Sequence, residues 1–82
     1  MKHIIITLKS RNDTLHLYNL LKSKNIICST INTPRIIGSS CTLSVKVGLD
    51  SINTIYALIR SGLNISGVYI FDSQLNMASR LY

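Results

Sequence analysis

The sequence predicts an α+β domain of the ferredoxin-like kind, a split β-α-β-β-α-β chain with a four-stranded antiparallel sheet and two helices on one face. Three observations lead there. Short β-branched or alternating runs occur four times, two intervening stretches carry apolar residues at helical spacing, and the order along the chain is strand, helix, strand, strand, helix, strand. With 82 residues there is room for one small domain, read as residues 1–71 with a C-terminal tail over 72–82.

Residues 3–9, HIIITLK, form the first strand, with Ile4, Ile6 and Leu8 on one side and His3, Ile5, Thr7 and Lys9 on the other. Ser10 offers an N-cap, with Asp13 three positions on as a short version of the capping box. A helix follows in which Leu17, Leu20, Leu21 and Lys24 share a stripe led by Thr14, with Lys22 and Lys24 at its negative pole and Asn25 in the left-handed cap position. Residues 26–32, IICSTIN, are the second strand. The third, CTLSVKV over 41–47, alternates cleanly: Cys41, Leu43, Val45 and Val47 against Thr42, Ser44 and Lys46. Asp50 caps the second helix, whose stripe is Ile52, Ile55, Tyr56 and Ile59 and which ends at Gly62. ISGVYIF over 65–71 is the last strand. The tail has no pattern of its own, although it offers Leu75, Met77 and Leu81 for docking.

Composition narrows the function classes. Nine Lys and Arg against three Asp and no Glu give a net charge of +6, which favours acidic partners. The longest apolar run near the start, IIITL, is far below the ~20 residues of a membrane span, and no signal peptide is legible, so a cytoplasmic protein without a membrane partner is expected. The two cysteines and two histidines form no ligand set at metal-binding spacing, so no metal is expected. The three acids read as caps or surface, with no acid–base pair or triad, which argues against an enzyme.

The chemically unusual choices fall together in TPRIIGSSCT, Thr33 to Thr42. Pro34 stiffens the start of the loop. Gly38 admits a positive φ, and the N–H groups of Gly38, Ser39 and Ser40 can curl into an anion nest, with two serine hydroxyls and the Arg35 guanidinium as further donors. Such a cradle favours a thiolate at Cys41, and the thiolate is the nucleophile. The alternation equally sets Cys41 at the head of the buried face, where a thiol is packing material. Pairing the two strands as a hairpin puts Asn32 near Cys41 and Cys28 roughly 13 Å further along, beyond the ~7 Å a disulfide tolerates. Cys28 therefore reads as a small buried apolar residue.

From the first strand and helix through TPRIIGSSCTLSVKV to ISGVYIF, residues 1–71, the chain resembles the putative selenium/sulfur carrier-like family of small bacterial proteins. The resemblance is most specific at Pro34-Arg35, Ser39-Ser40-Cys41 and Gly67-Val68-Tyr69. It departs at Gly38, where the family usually has serine, and at Thr42, where it usually has glycine. What it implies is a carrier that holds sulfur or selenium covalently on Cys41, with no separate cofactor, between a donor and an acceptor protein. Arg35, Gly38, Ser39 and Ser40 then cradle the cargo, and Pro34 shapes the loop. Two other classes stay open. An RNA-binding module shares the element order, but the outward residues of the first and third strands include no aromatic, so nucleic acid is not the expected partner. A ligand-binding or protein-interaction domain would use the open sheet face, with Ile5, Tyr69 and Phe71 as an apolar patch that could also form a homodimer.

Overall fold

In the computed structural model, which describes residues 2–38, 43–62 and 65–82, the first β-branched run folds as strand β1, Lys2–Leu8. It lies at the centre of a five-stranded sheet of order β2-β3-β1-β4-β5, antiparallel throughout. Alternation decides what it buries. Ile4, Ile6 and Leu8 join both helices in one core cluster, and Ile5 and Thr7 take the other face. Thr7 is buried with its hydroxyl satisfied, donating to the Gly67 carbonyl at 3.2 Å.

Helix α1, Arg11–Ser23, begins as the sequence directs: the Ser10 hydroxyl accepts the Asp13 N–H at 3.1 Å, which satisfies one free donor of the first turn. Thr14, Leu17 and Leu21 are its buried stripe, Leu20 is half-buried and Lys24 is exposed. Asn25 takes the left-handed conformation, φ 61°, and stops the helix. Strand β2, Cys28–Asn32, is shorter than the run that predicts it because Ile26 closes the helix, its N–H bonding the Leu21 carbonyl at 3.1 Å. Strand β3, Leu43–Val47, pairs Cys28 with Val47 and Asn32 with Leu43, so Asn32 stands opposite Leu43 and not the Cys41 of the expected hairpin.

After Gly48 comes one 3-10 turn, Leu49–Ser51, and helix α2, Ile52–Arg60. Asp50 lies inside the turn and does not cap the helix. Ile52, Ile55 and Ile59 of the predicted stripe pack on the core, but Tyr56 is exposed and Leu58 is buried in its stead. Gly62, at φ 94°, ends it.

Strand β4 is Ile65–Asp72, and the tail departs from expectation. Met77–Arg80 form a fifth strand, β5, on the outer side of β4. The α+β sheet therefore has five strands where four were expected, β5 being added outside β4 to the other four in the order β2-β3-β1-β4. The cause is tertiary. The eight-residue β4 offers an unpaired edge, and the Leu81 N–H bonds the Val68 carbonyl at 2.7 Å as the Leu81 side chain packs on the core. Leu75 and Met77, by contrast, are exposed.

Candidate functional site

The loop singled out in the sequence joins β2 to β3, and hydroxyl side chains hold both of its ends. The Thr33 and Ser44 hydroxyls share a hydrogen bond of 2.5 Å, with Ser44 fully buried. On the return side, the Thr14 hydroxyl lies 3.0 Å from the Ser10 carbonyl and 3.4 Å from the Leu43 carbonyl, within reach of either. The start of β3 is thus held against the first turns of α1. Sequence reasoning missed Thr14, Thr33 and Ser44 in these roles. The alternation gave no signal, because Ser44 falls on its polar side with Thr42 and Lys46 and is nonetheless fully buried, where a hydroxyl demands a partner.

Between these ties, Pro34 is half-buried and its carbonyl accepts the Ile37 N–H at 3.1 Å, closing a tight turn. Arg35 and Ile36 are exposed on that turn, which sets the guanidinium at the surface. Gly38 has φ 67°, and a Cβ there would meet nothing within 4 Å. Glycine is used for its backbone conformation and not for space. The structure therefore brings Pro34, Arg35 and Gly38 together on one turn. Ser39, Ser40 and Cys41 lie outside the described residues.

The second thiol is located. Cys28 is half-buried at the start of β2, against the core, with its Sγ 3.9 Å from the Tyr18 carbonyl oxygen. Burial pushes its pKa up, and the nearby Lys22 ammonium only partly offsets this. Both together make the Cys28 thiol harder to ionise than an ordinary cysteine, which disfavours the nucleophilic thiolate. Lys22 itself lies over the Tyr18 ring, 5.2 Å from its centroid.

Two further readings meet the structure here. Of the three residues expected to make an apolar patch on the helix-free face, Ile5 is buried at 1% exposure, while Tyr69 and Phe71 are half-buried. Among the described residues, no group of three or more His, Cys, Asp or Glu could hold a metal ion. Among them, too, no helix is long and apolar enough to cross a membrane.

A family model described as "Putative Se/S carrier protein-like" matches residues 3–70, from β1 to near the end of β4 and across the whole loop. The chain belongs to this family. No curated protein and no solved structure matches it. The match includes Pro34, Arg35, Gly38, Ser39, Ser40 and Cys41, and it ends before β5.

Proposed function

We propose that this member of the Se/S carrier-like family holds sulfur or selenium on Cys41 and passes it between partner proteins in the cytoplasm, without catalysing turnover. The observation that carries the reading is the family match across the Pro34–Cys41 loop. The Cys41 thiolate attacks the terminal sulfur of a donor protein's persulfide. The donor's S–S bond breaks, its cysteine leaves as a thiolate, and a new S–S bond forms on Cys41. The exchange is balanced and needs no outside oxidant. An acceptor thiolate takes the terminal atom by the same step, and selenium follows the same course.

The loop's neighbours support this chemistry. The turn offers the exposed Arg35 guanidinium, and the hydroxyl ties at Thr33–Ser44 and Thr14–Leu43 fix where the loop leaves and rejoins the fold. Ser39, Ser40 and the Gly38 N–H complete the proposed cradle around the anion. Intact mass spectrometry after exposure to a persulfide donor tests it. We expect a one-sulfur adduct that survives Cys28→Ser and disappears with Cys41→Ser. An unmodified protein, under conditions that load a free thiol standard, overturns the carrier reading.

A further inference from the structure

Among the described residues, strand β2 is an outer strand of the sheet, paired with β3 alone. Proteins blunt such an edge with a charge, a proline or a bulge, because its unpaired N–H and C=O groups accept further strands. β2, Cys-Ser-Thr-Ile-Asn, has none of these, and its register with β3 runs unbroken from Cys28 to Asn32. Immediately before it stands Ile27, 93% exposed, a large aliphatic side chain left in water.

Shallow depressions flank Ile27 on both sides of the strand. One is lined by Lys22 and Cys28, the other by Ser29 and Lys46. A lysine therefore borders the edge on each face. Lys22 comes from α1 on the helix side, and Lys46 comes from β3, between the core residues Val45 and Val47 and so on the opposite side. No acid occurs from Cys28 to Val47, but Asp50 lines a third depression beside Ile27, so the basic surroundings belong to the strand and not to the residues before it.

We propose that the outer edge of β2 takes an extended acidic segment of a partner protein as an added strand. An apolar side chain of that segment sits against Ile27, and its carboxylates face Lys22 and Lys46. Main-chain bonds supply the affinity and the charges select the partner. A second copy of this chain fits poorly, because both copies carry +6 and bring the same lysines to the seam. β2 leads directly into the Thr33–Gly38 turn, so a segment laid along it runs towards the loop. The inference goes beyond the carrier reading and holds whether or not Cys41 carries sulfur.

The test uses the full chain labelled with 15N and a synthetic eight-residue peptide of threonine, valine and glutamate, with glutamates at both odd and even positions so that each face of the strand carries a carboxylate. We expect amide shifts and slowed exchange concentrated on Ile27–Asn32. A lysine-for-glutamate peptide and one N-methylated at alternate amides should each bind at least about tenfold more weakly. Ile27→Glu and Lys22→Glu, both at exposed positions, should keep the native spectrum and weaken binding about fivefold or more. Cys41→Ser should bind as the natural chain does, which separates this result from the fate of the carrier reading. Unshifted β2 amides at millimolar peptide, equal binding of the lysine peptide, or sedimentation as a dimer that Ile27→Glu dissolves would each overturn the proposal.

Discussion

The two hairpins at the edges of the sheet are held by different means. The β2–β3 hairpin is tied at its neck by the Thr33 and Ser44 hydroxyls, and its outer strand is uncharged beside the exposed Ile27. The β4–β5 hairpin is tied by Asp72, whose carboxylate accepts the Gln74 and Leu75 N–H groups at 3.0 and 3.3 Å. Its outer strand is protected: the Arg80 guanidinium lies 5.8 Å from the Tyr69 ring centroid, and its Nε donates to the Tyr82 carbonyl at 2.8 Å. The family match includes the first hairpin and stops at residue 70, short of β5. The difference teaches a division of labour. One edge is closed by an added strand tied to the core, and the other is left uncharged beside an exposed isoleucine.

Removing the protected edge is the strongest way to break that contrast. Ending the chain after Ser73 deletes β5, takes Leu81 off the core and strips the outer side of β4. We expect a loss of about 3 kcal/mol in urea unfolding, comparable to truncating a buried leucine. The thermal midpoint should fall by roughly 15 °C. The matching change at the open edge, Ile27→Thr, should stay within about 0.5 kcal/mol, because the side chain touches little that folding orders. If the truncated chain is as stable as the whole one, β5 is no structural element and the contrast fails.

A smaller effect is expected at Gly67. A Cβ there would lie 2.9 Å from Tyr69 Cε1, 3.1 Å from its Oη and 3.2 Å from Thr7 Oγ1. Gly67→Ala must push the ring off its seat and away from Arg80, at a cost of about 1–2 kcal/mol. In a Tyr69→Ala background the same change should cost under about 0.5 kcal/mol, the coupling that a double-mutant cycle reads. An undiminished cost in that background would move the strain from the ring to the Thr7 hydroxyl.

These residues also show where the sequence was legible. β1, α1 and β4 could be read because their periodicity is strong and local, and Ser10, Asn25 and Gly62 mark helix ends by side-chain chemistry alone. β5 could not. Met-Ala-Ser-Arg has no β-branched residue, and it is a strand only because β4 offers an edge and Leu81 a place on the core. In α2 the pattern gave the helix but not every buried position, since Tyr56 and Leu58 both suit an apolar face and only packing chose between them. At the candidate site, residue type alone marked the turn at Pro34 and the left-handed backbone at Gly38. Thr14, Thr33 and Ser44 could not be assigned partners before the register of β3 was known.

The smallest expected effect separates the two hairpins by pH. Burial is the largest single influence on Asp72 and raises its pKa, but the Leu75 and Gln74 N–H groups and the Lys2 charge outweigh it, leaving the carboxyl below its ordinary value. A group with a lower pKa in the folded state adds stability above its unfolded value of about 3.9, and that stability is lost as pH falls through the folded one. Between about pH 5 and pH 3, therefore, the Met77–Arg80 amides should lose hydrogen-exchange protection relative to Cys28–Asn32. The β2–β3 hairpin has no carboxylate from Cys28 to Val47, so its side-chain ties do not titrate in that range. Asp72→Asn should remove the difference in pH response between the edges. If both edges loosen together in the natural chain, the Asp72 carboxylate is not what holds β5 in place, and Leu81 and Arg80 carry the protected edge alone.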